Sequence, residues 1–395
     1  MRAKHIAAAL TGLACLLPSG ASLWYAGRLV DRYHIPAGGT LELHTVLPVT
    51  AVPAASAAAP AVASTESGTA TLRLFGVFPI KTVETRPQET VCVVPSGAPF
   101  GVRMLMDGAM VIGFGEVHTA DGPCCPAAAC GLQEGDIIRA VGSVPVTSTA
   151  MLRETALRGA PMLLTVARGT ETHQLTLTPA WSVTERCWQT GVWLRDSTAG
   201  IGTLTYQIPE TGDLAGLGHP ICDPDTGVTV PLASGEADGV TIRSVVRGRP
   251  GVPGCLQGYF TADRPLGTLT CNSPCGVFGR SDTVPDGEAV PLALKQDIRV
   301  GEATILTTVT GSAPSAYDAR ILEIDYTDSG RDLVIEVTDP RLLDATGGIV
   351  QGMSGSPILQ DGALVGAVTH VFVSDPAKGY GIFAERMYAY TEAMR

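Results

Sequence analysis

Ser354 lies in the run Gly352-Met-Ser-Gly-Ser-Pro357, with a glycine on either side and apolar residues beyond. A serine used as a nucleophile needs such a setting. The backbone turns sharply, and neighbouring N–H groups converge on one cavity to hold the oxyanion of a tetrahedral intermediate. Glycines reach the φ/ψ values of that nest without a Cβ clash. The serine hydroxyl must give its proton to a base with a pKa near neutrality, which imidazole supplies. Of the seven histidines, only His219 and His370 fall in the β-rich region that carries Ser354. His219, in Gly216-Leu-Gly-His-Pro220, closes a predicted strand between small residues, and His370 sits one predicted strand beyond the serine. A carboxylate would hold the imidazole in one tautomer. Asp339 follows an apolar strand in Glu336-Val-Thr-Asp-Pro340, where Pro340 keeps it extended at the strand end. Asp344 and Asp263 are the alternatives.

The elements that must position these groups are mostly strands. Directly after the serine, Gln360-Asp-Gly-Ala-Leu-Val-Gly-Ala-Val-Thr-His-Val-Phe372 reads as strand, tight Asp-Gly turn, strand. Gly-x-Ser-Gly-x-Pro followed by such a hairpin resembles the nucleophile region of chymotrypsin-like serine peptidases; that resemblance implies the N–H groups of Gly352 and Ser354 as oxyanion donors, and the histidine-before-serine order of that family favours His219 as base. From Trp181 onward, short strands separated by Gly/Pro turns are predicted, among them 200–206, 239–246, 303–309, 319–326 and 333–337, with no long helical pattern between them. The fold expected is mainly β, with residues 181–395 as a chymotrypsin-like double β-barrel serine peptidase domain.

Composition narrows the function. The chain of 395 residues is too long for one ordinary core. A net charge of −11 without a basic cluster excludes nucleic acid as a partner, since nothing would neutralise phosphates. Arg2, Lys4 and His5 precede the apolar run Ile6 to Leu17, the pattern of an export signal or an uncleaved anchor, so residues 1–46 are expected to be a signal or membrane-anchor region. Residues 47–70, rich in Ala, Pro, Val, Ser and Thr with one charge at Glu66, read as a flexible tether. Residues 71–89 alternate as strand without an assigned domain. The ten cysteines have ragged spacing, which favours free or partly paired thiols over a disulfide framework. A zinc site from His219, Cys222, Cys271 and Cys275 matches no familiar spacing, so no metal and no cofactor is expected.

Residues 90–180 form a second recognisable unit. A turn-rich loop, Pro95-Ser-Gly-Ala-Pro-Phe-Gly-Val-Arg103, leads to strand 108–114. Residues 126–142 read as a short helix, a Gly-Leu turn and a strand, and a helix capped at Ser148 or Thr149 and reaching about Arg158 follows. This order resembles a PDZ domain, with Phe100, Gly101 and Val102 in the place of the loop that binds a peptide carboxylate. The resemblance implies that a peptide adds as a strand beside that loop, across from the capped helix.

Longer strings carry a resemblance over essentially the whole chain. Gly216-Leu-Gly-His-Pro-Ile221, Asn272-Ser-Pro-Cys-Gly-Val-Phe-Gly279, Thr338-Asp-Pro-Arg-Leu-Leu343, Thr346-Gly-Gly-Ile-Val-Gln-Gly-Met-Ser-Gly-Ser-Pro357 and Gly366-Ala-Val-Thr-His-Val-Phe-Val373 closely resemble the stage IV sporulation protein B peptidases. The resemblance implies a catalytic triad of Ser354, His219 and Asp339. It further implies a protein made in the forespore and exported across the inner forespore membrane, anchored at first by its N-terminal segment. Such a peptidase cleaves its own N-terminal segment and then a protein regulator of the intramembrane protease that matures sigma-K. The aspartate lies closer to the serine in sequence than in chymotrypsin-like chains. The rival classes are a non-catalytic PDZ scaffold and a hydrolase acting on the cell wall.

Overall fold

The computed structural model describes the chain except for residues 1–19, 37–38, 54–67, 262–264, 282, 284 and 328–329. Among the described residues no helix is long and apolar enough to cross a membrane, and no disulfide joins the nine described cysteines. The apolar run Ile6 to Leu17 and the candidate Asp263 lie outside the described residues.

Residues 20–88 form a small unit. A helix over 20–28 packs on a four-stranded sheet in the order Arg32–Pro36, Phe78–Gln88, Gly68–Leu74, Val49–Pro53. Its core holds Tyr25, Leu29, Tyr33, Val49, Leu72, Leu74 and Val83. The expected tether at 47–70 is therefore not a tether throughout. Val49–Pro53 pairs antiparallel with Gly68–Leu74, Val49 opposite Leu74. Val49 and Ala51 face inward while Thr50 and Val52 are exposed, so four residues of alternation suffice where main-chain pairing does the rest.

The first barrel is closed by six strand segments. The ring runs from the N-terminal half of Pro99–Phe114 to Leu232–Val246, Gly267–Ser273, Gly276–Arg280, Asp213–Gly216 and the C-terminal half of Val192–Gln207, which pairs back onto Pro99–Phe114. Two of these strands, Pro99–Phe114 and Val192–Gln207, are 16 residues long and leave the barrel together. Between them the chain builds the unit expected at 90–180. It comprises strands Ile137–Val141, Met162–Arg168 and Glu171–Leu177 with helices Pro126–Ala129 and Thr149–Ala156. That unit is thus inserted into the barrel rather than placed before it. Pro99–Phe114 is one unbroken strand, exposed at Arg103, Leu105 and Asp107, yet Phe100, Val102 and Met104 belong to the barrel core while Ala109 and Val111 belong to the inserted core. Nothing in the pattern marks the crossing, which is why sequence alone misplaces the boundary.

The second barrel is closed by Gly301–Thr307, Ser315–Ile324, Leu333–Val337, Asp375–Phe383, Ala363–Phe372 and Pro357–Gln360. Its interior is aliphatic, with Ile305, Ala319, Ile321, Leu333, Ile335 and Ile358 fully buried. The C-terminal helix Ala384–Ala393 returns to the first barrel, where Met387 and Tyr388 pack with Tyr206 and Phe278.

Candidate active site

The serine and both histidines meet at one cavity of about 410 Å³ between the two barrels, lined among others by His219, Cys222, Gly352, Ser354 and His370. Helix Pro340–Thr346 ends at Gly347 in the left-handed conformation, and the loop to Ser356 carries Gly348, Gly352 and Gly355, all at positive φ. Gly355 admits nothing larger, because a Cβ there would fall 2.0 Å from Thr203 O. The loop is gripped from the first barrel by buried Thr203 and Thr205. Thr203 N donates to Ser354 O (2.9 Å), Thr203 Oγ1 to Gly352 O (2.8 Å) and Thr205 Oγ1 to Gly355 O (2.8 Å). Met353, Gly355 and Ser356 donate their N–H groups to Val350, Val368 and Met353 carbonyls. Among the described residues those of Gly352 and Ser354 are not spent on a backbone acceptor, so the expected oxyanion donors remain available. The Ser354 hydroxyl donates to Thr369 O at 2.7 Å, a bond that must break before its proton passes to a base.

His219 follows strand Asp213–Gly216 through two left-handed residues, Leu217 and Gly218. The turn is pressed onto the second barrel, since a Cβ on Gly218 would lie 2.9 Å from Thr369 Cγ2 and 3.0 Å from Ile382 Cγ2. His219 Nδ1 lies 2.8 Å from Pro220 O. A carbonyl only accepts, so Nδ1 carries the proton and Nε2 keeps the lone pair a general base needs. Burial pushes the His219 pKa down, and the Pro220 carbonyl opposes that in part. The ring of His370 stands 4.9 Å away, centroid to centroid. Burial, then the nearness of His219 and Arg331, lowers its pKa to about 4, so His370 is neutral near pH 7.

Asp339 is not where the sequence places it. It is buried as the N-cap of helix Pro340–Thr346, accepting from Arg341 N (2.8 Å) and Asp318 N (3.3 Å) and pairing with the Arg341 guanidinium at 2.6 Å. The Arg341 guanidinium holds its carboxyl well below the ordinary range. Asp339 does not line the cavity, nor does Asp344, which is exposed on that helix. Among the described residues no carboxylate lines it at all. The physical reason is the proline: Asp-Pro before a helical segment is an N-cap signal as much as a strand-end signal.

Phe100, Gly101 and Val102 are likewise not a peptide-receiving loop. They open a barrel strand and are paired on both edges, with Gly200, Ile201 and Gly202 on one side and Ala237, Asp238 and Gly239 on the other. Phe100 and Val102 are buried, and the Phe260 ring covers Gly101, where a Cβ would fall 2.0 Å from its Cε1. No edge is left there for an added strand. A larger opening, about 800 Å³, lies instead between helix Thr149–Ala156 and residues 187–194, with Leu152, Leu164, Trp188 and Trp193 among its walls. Val192 to Leu194 pair with Phe114 to Val111 on one edge only, among the described residues. Sequence reading missed these residues because they come after the unit's other strands and head a barrel strand.

Two barrels that share a cavity, with a glycine-framed serine from one and a histidine from the other, define a serine peptidase. The chain belongs to the family described as SpoIVB peptidase S55, whose model matches residues 186–388. It is similar to the Rv3671c protease from M. tuberculosis. The active form is 19% identical over 50% of this chain and 74% of that chain, with a TM-score of 0.31. The inactive form is 16% identical over 49% and 83%, with a TM-score of 0.30. No curated protein sequence matches the chain.

Proposed function

We propose that the chain is an exported serine endopeptidase that uses Ser354 as nucleophile and His219 as general base. The observation that carries this reading is the shared cavity lined by Ser354, His219 and Gly352, where the N–H groups of Gly352 and Ser354 donate to no backbone carbonyl among the described residues. Ser354 Oγ attacks the scissile carbonyl carbon as its proton passes to His219 Nε2, and the oxyanion is held by the two N–H groups. His219 then gives that proton to the leaving amine as the C–N bond breaks. Water, deprotonated by the same imidazole, hydrolyses the acyl ester.

Membership of the SpoIVB family supports a place in sporulation: export across the inner forespore membrane, cleavage of the chain's own N-terminal segment, then cleavage of a protein regulator of the intramembrane protease that matures sigma-K. The basic residues and apolar run at the N-terminus support export with initial anchoring. The inserted unit is read as a PDZ-type module that takes an extended peptide beside Val192–Leu194, opposite helix Thr149–Ala156. A fluorophosphonate probe followed by mass spectrometry tests the catalytic reading. Wild type should be modified at Ser354, Ser354→Ala should be unlabelled and keep its original N-terminus, and labelling elsewhere would remove the assignment.

A further inference from the structure

Val371 lines the catalytic cavity and also borders a second opening of about 740 Å³, lined by Pro250, Gly251, Phe372, Val373, Ser374 and Tyr380. Two tight turns meet at its rim. Val373 and Ser374 turn the chain from strand Ala363–Phe372 into strand Asp375–Phe383. Pro250 and Gly251 form the other turn, closed by bonds from Arg249 N to Val252 O (2.9 Å) and from Val252 N to Arg249 O (2.8 Å). Gly251 N donates to Val373 O at 2.7 Å and ties the two turns together. The aromatic part of the lining is held firmly. The Phe372 and Tyr380 rings meet at 4.6 Å, and the Arg331 guanidinium stands over Tyr380 at 4.9 Å. In register Tyr380 lies opposite His370, so the two rings follow directly on the pair of histidines.

The strand that joins the two openings has a bare edge. One edge pairs with Asp375–Phe383, Val371 opposite Gly379. Among the described residues the other edge is covered by Pro357–Gln360 and the loop before it only as far as Val368. The His370 carbonyl faces Gly379, where a Cβ would fall 2.4 Å from it. Main-chain groups alternate between the two edges of a strand, so those of Thr369 and Val371 face the bare one. Thr369 O accordingly accepts the Ser354 hydroxyl. After attack the acyl part of a substrate stays bonded to Ser354 on the second barrel, while the leaving amine takes its proton from His219 on the first. An extended acyl segment therefore has Val371 to pair with. At about 3.3 Å per residue, its third or fourth residue before the scissile bond arrives at Phe372 and Tyr380. We infer that these two rings form a specificity shelf for an apolar side chain on the acyl side of the scissile bond, an inference that rests on Ser354 being the nucleophile. Aliphatic or aromatic surface gains by being covered there, and a polar side chain of the same shape loses hydration.

The test is kcat/KM of the full chain for capped tetrapeptide nitrophenyl esters that differ only at the third or fourth residue before the ester, with Leu, the isosteric Asn, or Lys there. In wild type the Leu ester should exceed the Asn ester on the order of 10-fold, the low end for apolar contacts in a substrate site. Phe372→Ala should bring that ratio close to one. Val373 is 55% exposed, so Val373→Asp leaves folding out of account and should raise the Lys ester relative to the Leu ester. Each ratio is taken within one variant, so loss of folded protein does not enter it. Equal turnover of the Leu and Asn esters by wild type, or wild-type ratios retained in both variants, would overturn the shelf. Wild type that the fluorophosphonate labels at Ser354 but that is indifferent to these residues sinks this inference alone. Wild type left unlabelled there sinks the peptidase reading with it.

Discussion

Replacing Asp339 by alanine removes three things that the structure assigns to it and none that it assigns to catalysis. The helix Pro340–Thr346 loses its cap, a bond accepted from Arg341 N, which on typical values costs about 0.5–2 kcal/mol. The pair with Arg341 also goes, but that side chain is 68% exposed, so solvent screening limits its worth to about 0.2–1 kcal/mol. The bond from Asp318 N, at 3.3 Å, adds little. A loss of roughly 1–3 kcal/mol corresponds to a melting-point drop of several degrees, at about 2–4 °C per kcal/mol for a unit of 150–250 residues. Asparagine caps as well as aspartate, so Asp339→Asn should lose only the charge, roughly 1 kcal/mol or less. The Asp339 pKa is depressed by the fold, so its charge-dependent stabilisation is present above the unfolded value near 4 and fades as pH falls through the native one. The stability gap between wild type and Asp339→Asn should therefore close in acid. The assay is thermal unfolding from pH 7 downward, alongside ester hydrolysis per fluorophosphonate-titrated site at pH 7. A per-site rate that falls on the order of 10⁴-fold with little change in melting point, as loss of a triad carboxylate gives, would refute the argument and return Asp339 to the orienting role.

Gly355→Ala should abolish labelling of Ser354 and lower the melting point, because the new Cβ meets Thr203 O at 2.0 Å and the backbone sits at φ +96. Full activity in that variant would show that the Thr203 clamp does not set the loop. Burial depresses the His219 pKa below its ordinary 6.5, so the base is free at lower pH and the ascending limb of kcat/KM should have its midpoint below 6.5. A midpoint above about 7 would point to a stabilised imidazolium and hence a carboxylate near the ring. His219→Ala should lose nearly all activity, while His370→Ala should lose less, since His370 stays neutral in that range. The reverse ranking in ester hydrolysis would make His370 the base.

By itself the sequence determined which groups can react. The glycines around Ser354 and before His219 permit the positive φ that sharp turns need, so a nucleophile loop and a histidine turn were legible from residue types alone, as were the many strands between them. Tertiary structure decided what those groups touch. Asp339 and Asn272 both stand beside strand ends in polar strings, and neither string says which carbonyl or amide will face it. That depends on strands from distant parts of the chain closing a barrel, which brings Asn272 to Ile221 and leaves Asp339 at a helix start with Arg341. The inserted unit obeys the same logic. Strands Pro99–Phe114 and Val192–Gln207 each run on as one continuous strand, and only their pairing reveals that the same two strands serve two cores. Local conformation follows from nearest neighbours, whereas the partner of a side chain follows from register, and register is a property of the closed sheet.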